Sequence, residues 1–236
     1  LLKAPEEYRL YFHKIRFDLP MLKQIIANGL PAGFQNSVIA LANVVVQTNI
    51  NAFGKMAMAG CGAYSKIEGF GFLPVNCFTM ALTTFVSQNL GAKEYERAKK
   101  GARFGILCSI SIAELIGIVI YAAAPLLISA FNSDPDVVAY GAAQARTVTL
   151  FYFLLAFSHC IAAILRGSGK SAIPMVVMLC VWCILRVTYI TVTVHFIPDI
   201  RVVFWAYPLT WSISSAIFLV LFLRGKWVYG FEKRKD

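Results

Sequence analysis

Nine side chains that can carry charge, exchange a proton or grip a polar solute lie inside long apolar runs of this 236-residue chain. They are Gln35, Asn36, Asn43, Gln47, Lys66, Glu68, Glu114, His159 and Arg186. Lys66 and Glu68 share the stretch AYSKIEGFGFLP, two positions apart. On a helix they project about 200° from one another, so neither neutralises the other and each needs a different neighbour. Even the mildest scale assigns ~2.5–3.5 kcal/mol to an ionised group at the centre of a bilayer, so such residues face a partner, water or the interface. Counted from the outer span ends, Glu68 and Arg186 come to similar depth, roughly 15–18 Å at about 1.5 Å per residue. An ion pair between them is one expectation, and Glu114 competes for the same arginine, making Glu114 and Arg186 the alternative structural pair. Glu68 is otherwise read as a proton or cation site or as a snorkelling side chain. His159 is either a hydrogen-bonded core histidine or a proton carrier.

The amides form a second pattern. GLPAGFQNSVIALANVVVQTNINAFG carries Gln35, Asn36, Asn43, Gln47, Asn49 and Asn51. Gln35, Asn36, Asn43 and Gln47 follow one another at steps that a helix gathers into a polar stripe. An amide without a partner in hydrocarbon costs several kcal/mol, so the stripe serves either interhelical hydrogen bonds or a solute pathway. A bend at Pro31 would free carbonyls to accept further bonds.

Enzymatic chemistry has little to stand on. GSGKS at 167–171 lacks the first glycine of a phosphate-binding loop, because that position is Ile164, and it reads as a tight turn. Cys180 and Cys183 form one CxxC in mid-run with no second Cys/His pair, and the six cysteines read as small hydrophobes. No Ser/His/Asp cluster, paired catalytic carboxylates or metal-ligand spacing stands out, so neither a cofactor nor a metal is expected.

The elements that hold these residues follow from composition. The chain is 58% hydrophobic and 14% charged, with a mean hydropathy of +0.67, against about 45–50% and about 25% in soluble domains. Its apolar runs are long enough to cross about 30 Å of hydrocarbon, and in lipid such runs satisfy their backbones as helices. The pattern predicts an all-α integral membrane protein with spans over 21–50, 56–88, 103–124, 138–165, 172–196 and 203–223. Residues 1–20 read as an interfacial connector, 21–224 as one six-helix unit and 225–236 as a basic tail. Ser133 or Asp134 is expected to cap the fourth span ahead of Pro135.

Of the 22 Lys and Arg residues, seventeen fall at the termini and in alternate connections on one side, whereas Lys55, Arg146 and Arg201 fall on the other. The positive-inside rule then makes both termini cytoplasmic. This alternation accounts for the net charge of +10 without nucleic acid. The partner it implies is the lipid bilayer, with anionic lipid near the basic connections.

In order and spacing, GLPAGFQNSV, KIEGFGFLP, FVSQNLGAKEYERAKKG and AILRGSGKSAIPM resemble the carboxyl-terminal lobe of a multidrug and toxic compound extrusion (MATE) transporter. The resemblance runs from about Asp18 to Gly230 and implies one six-helix lobe of a twelve-helix, two-lobed transporter, the partner being a missing amino-terminal lobe. It implies a plasma (inner) membrane antiporter that exports organic, often cationic, small molecules by alternating access, in exchange for protons or sodium. By the same resemblance, spans one, two and four face the central cavity, which puts the amide stripe, Lys66, Glu68 and His159 on its wall and Arg186 further out. Sodium-coupled members carry acids on the helices matching spans one and four. Here span one has no Asp or Glu, and span four has only Asp136 outside its start, so no sodium site is expected in this lobe. Two rival readings stand beside the exporter. One is a lipid-linked oligosaccharide flippase of the same superfamily, favoured by several cations in the cavity and a lateral groove. The other is a non-transporting scaffold or membrane fragment.

Overall fold

The computed structural model describes residues 18–225 and 227–229; the connector read at 1–17 and most of the basic tail (Lys226 and 230–236) lie outside the described residues. Six helices among the described residues are long and apolar enough to cross a bilayer: α1 (Leu19–Asn51), α2 (Lys55–Gly91), α3 (Tyr95–Ser129), α4 (Pro135–Gly167), α5 (Ala172–Phe196) and α6 (Ile200–Leu223). α4 tightens to a 3₁₀ turn over Thr149–Phe151, and α5 loosens to a π-helical stretch over Leu179–Leu185.

Short polar residues set the starts. Asp18 Oδ1 accepts the Met21 N–H at 3.0 Å, Asp134 Oδ1 accepts the Asp136 N–H at 2.9 Å, and Asp199 Oδ1 accepts the Arg201 N–H at 2.8 Å. Each carboxylate satisfies an N–H that the first helical turn leaves without a partner. Asp134, rather than Ser133, is thus the cap of α4. The α4–α5 turn reverses through Gly169 at φ 77°, a conformation open to a residue without Cβ.

Most of the segment read as a polar connection between the second and third spans is helical, because α3 begins at Tyr95. Its Ala, Glu, Lys and Arg residues are strong helix formers, and Glu96 pairs with Lys99 one turn on, at 2.8 Å. α1 continues through Pro31 without interruption.

α2, α3 and α4 pack together most closely, α6 joins α4 and α5, and α1 lies against α2 and α5. The apolar core falls into three layers along the bundle. Leu82, Val86, Ile161 and Phe218 fill the end bearing the α2–α3 turn. Tyr64, Tyr152, Trp182 and Trp211 fill the middle, and Val46, Ala57, Val203 and Phe204 the opposite end.

Hydroxyls knit α4, α5 and α6. Ser158 Oγ lies 3.2 Å from Ser214 Oγ and 2.8 Å from Ser215 Oγ; Trp182 Nε1 donates to Ser214 Oγ at 3.1 Å, and Ser215 Oγ donates to the Leu154 carbonyl at 2.9 Å. Interhelical bonds of this kind are worth about 0.6–2 kcal/mol each in a membrane. Ser158→Ala is expected to cost about 1 kcal/mol on that scale, measured as a small fall in the melting midpoint in detergent, because Ser214 and Ser215 keep their other partners.

Candidate functional site

A cavity of about 310 Å³ opens where α1, α2, α4 and α5 meet, in the half of the bundle nearer the α2–α3 turn. α1 contributes Ala32, Gln35, Asn36 and Ile39; α2 contributes Asn76 and Thr79; α4 contributes His159 and Arg166; α5 contributes Met178. Spacings of three and seven bring Asn76 with Thr79, and His159 with Arg166, onto common helix faces. A neighbouring hollow of about 290 Å³ is lined by Thr79, Met80, Thr83, Thr84 and Arg166, so Thr79 and Arg166 border both spaces.

The polar groups in the cavity differ in how far they are already engaged. Gln35 is buried and donates from Nε2 to Met178 Sδ at 2.7 Å, and Thr79 Oγ1 donates to the Asn76 carbonyl at 2.8 Å. The His159 ring makes edge contacts with Phe72 and Trp182, with centroids 5.7 and 5.3 Å away, and its Nε2 is buried with no hydrogen-bond partner. Arg166 is half-buried.

The amide stripe does not enter the cavity whole. Gln35, Ala42, Val46 and Ile50 form the buried face of α1, whereas Asn36, Asn43 and Gln47 are exposed. Asn36, Asn43 and Gln47 each follow a buried residue by one position, which rotates them about 100° away from the packed face. Asn36 reaches the cavity rim; Gln47 instead donates to Asn51 Oδ1 at 2.8 Å along the same helix.

The ionisable residues are arranged differently from the sequence expectation. Lys66 is exposed, with Nζ 5.9 Å from the centroid of the Phe131 ring. Glu68 is half-buried; Tyr64 donates its hydroxyl to Glu68 Oε1 at 3.4 Å, and the Tyr64 and Tyr152 hydroxyls lie 3.0 Å apart. Arg186 is buried and donates to Thr210 Oγ1 from Nη2 at 2.8 Å and from Nε at 3.3 Å. Its guanidinium carbon lies 5.1 Å from the Trp182 ring centroid and 4.6 Å from that of Tyr207.

Neither expected ion pair forms. Among the described residues the salt bridge within 4 Å is Glu96 with Lys99. Arg186 is held by a hydroxyl and two π faces, which attract a cation without a carboxylate. Glu68 and Arg186 stay close enough to interact electrostatically across this cluster. Glu114 is turned instead to α4, where its Oε2 accepts the Phe153 N–H at 3.2 Å just beyond the 3₁₀ turn. It acts as a borrowed helix cap. By the range for capping residues, Glu114→Ala should cost about 1 kcal/mol, seen as faster amide exchange around Phe153, with Glu114→Gln retaining part of the protection.

Asn76, Thr79, Arg166 and Met178 were not picked out from the sequence. A signal for the α2 pair was present, since Glu68, Asn76, Thr79 and Thr83 fall within an arc of about 80° on a helix. Arg166 is one of the seventeen cations of the termini and alternate connections, one residue before Gly167.

Residues 31–192, well over half of the chain, match the MatE family model. The chain belongs to the MatE family. This MatE chain is 25% identical over 224 residues to the probable multidrug resistance protein YoeA of Bacillus subtilis, covering 94% of the chain and 47% of that protein. It is 27% identical over 223 residues to the probable multidrug resistance protein NorM of Thermotoga maritima, covering 90% and 45%. With a protein of Shewanella oneidensis named as an FAD transporter it shares 26% over 150 residues, covering 64% and 33%.

Among solved structures, the MatE chain superimposes on a MOP superfamily transporter from Pyrococcus furiosus, reported with reverse polarity of its binding pocket, with a TM-score of 0.85 at 17% identity, covering 94% of the chain and 50% of that protein. An outward-facing multidrug resistance MATE family transporter gives 0.84 at 18%, covering 93% and 50%. The chain spans about half the length of the curated relatives it matches. Its six membrane-length helices thus correspond in fold to one half of a MATE transporter.

Proposed function

We propose that this MatE lobe forms one wall of the solute pathway in an exporter that moves organic small molecules across the plasma membrane by alternating access. The observation that carries this reading is the cavity of about 310 Å³ in which amides, a hydroxyl, an imidazole and a guanidinium from several helices converge. Polar groups gathered inside a membrane bundle mark solute or ion pathways more often than lipid-facing surface.

A second lobe completes the pathway. Asn36, Asn43 and Gln47 run beside the packed face of α1 and are exposed in this chain, which suits helices or water on their far side better than hydrocarbon. Residues 1–20 then connect the two lobes, and the basic segment 225–236 follows α6, with Trp227 and Val228 buried against the core. The excess of Lys and Arg in alternate connections favours a cytoplasmic position for both termini.

In this lobe coupling to protons falls to Glu68, and a sodium site would belong to the other lobe. Its carboxylate is half-buried and holds one long hydrogen bond from Tyr64, whereas the Glu114 carboxylate is taken up by α4. A cationic group on the solute, which the family resemblance implies, would meet Glu68 and the Tyr64 and Tyr152 rings beside it. The flippase alternative asked for several cations in the cavity, and Arg166 is the one cation among its lining residues.

Reconstitution of the whole transporter in proteoliposomes tests the reading. Efflux of ethidium is expected to rise when an inward proton or sodium gradient is imposed and to vanish when the gradient is collapsed. Equal flux of every organic probe with and without a gradient would leave the scaffold reading in its place.

A further inference from the structure

We propose that the paired hollows beside Arg166 bind an acidic group, a phosphate or carboxylate, carried by the transported solute. The inference rests on the reading of this cavity as a solute pathway and adds the charge that the solute brings to it. Arg166 supplies the one formal charge among the residues lining the two hollows, and no Asp or Glu lines either. Its guanidinium has no hydrogen-bond or ion-pair partner among the described residues. A guanidinium offers five donors in a planar fork matched to a carboxylate or phosphate, and partial burial strengthens its attraction for an anion relative to water.

The neighbouring groups point the same way. Thr84 and Asn76 line the space beside Arg166, and the hydroxyl of the one and the amide of the other can donate to an oxyanion, whereas the Thr79 hydroxyl is already given to the Asn76 carbonyl. His159 adds a ring nitrogen that is buried and unpartnered, two helical turns from Arg166 along α4. Such an orphan is uncommon in a folded interior and calls for a partner. An organic cation placed here would meet a like charge with no carboxylate to offset it. A plainer role for Arg166, that of a cation offsetting the dipole at the end of α4, would leave the charge preference of the solute site untouched.

Riboflavin and flavin mononucleotide separate these accounts, because they differ by one phosphate ester and both fluoresce. The whole transporter is titrated with each in nanodiscs of phosphatidylcholine. Flavin mononucleotide is expected to bind about tenfold or more tightly than riboflavin, the size of effect typical of one charge-assisted contact. Arg166→Gln should bring flavin mononucleotide down to the level of riboflavin. Arg166→Lys, which keeps the charge but not the fork, should retain part of the preference and show that the fold survives at this position. Equal binding of the two flavins by the unaltered protein, or a preference undiminished in Arg166→Gln, would overturn the assignment. If the substitution matters only in nanodiscs containing phosphatidylglycerol, the anion is a lipid headgroup and the solute assignment falls. Gradient-driven ethidium flux alongside a failed flavin preference would overturn this inference while leaving the exporter standing; loss of all gradient-driven flux would remove the exporter reading itself.

Discussion

Replacing Gly60 with valine is expected to force α2 away from α4 and leave the lobe misassembled, whereas Gly62→Val on the same helix is expected to be tolerated. A Cβ built on Gly60 would fall against the carbonyl oxygen of Val137 and 2.8 Å from the backbone nitrogen of Gly141. The contact is reciprocal, because a Cβ on Gly141 would lie 2.8 Å from the Gly60 carbonyl oxygen. Small residues that let two backbones touch are a main source of helix association in membranes, where no hydrophobic difference between lipid and protein drives packing. Overpacking a core costs about 1–3 kcal/mol when side chains can yield, and here the atoms in the way belong to backbone. A Cβ on Gly62 meets nothing within 4 Å. Size-exclusion chromatography in detergent should show Gly60→Val losing its monodisperse peak and Gly62→Val keeping it. Equal melting midpoints for the two variants would disprove the close approach.

Glu68→Gln is expected to abolish the response of transport to an ion gradient, by at least about tenfold, while the folded lobe persists. Glutamine is close in shape and can still accept the hydroxyl of Tyr64, so the contact at 3.4 Å need not be lost; what disappears is the capacity to exchange a proton or hold a cation. A substitution that removes a charge and keeps the hydrogen bond tests ionisation without leaving a cavity. Tyr64→Phe serves as the companion. It removes the hydroxyl that touches both Glu68 and Tyr152 and should weaken coupling less, since the carboxyl remains. Gradient-dependent ethidium efflux from proteoliposomes gives the readout, with the melting midpoint recorded for each variant. Wild-type gradient dependence in Glu68→Gln would locate the coupling group outside this helix.

The six helices could be read from the chain because each depends on local properties, whereas the start of α3 at Tyr95 and the caps Asp18 and Asp199 were not. Run length against bilayer thickness gives a span, and Asp134 ahead of Pro135 gives a start. The relation to one half of a MATE transporter was legible too, since it rests on the order of short stretches. Partner choice was not. Arg186 had two carboxylates at comparable depth, yet it lies between Trp182 and Tyr207 with Thr210 as acceptor, and Glu114 serves Phe153. The side chains on α1 divide between a packed face through Gln35 and an open one through Asn43. Arg166, filed with a turn by its neighbours, becomes the charge of the cavity once α2 crosses beside it. These outcomes depend on the rotation of each helix about its axis and on which helices are adjacent. A segment apolar all round carries almost no periodic signal for either, and close backbone approaches such as that at Gly60 choose the neighbours after the helices have formed.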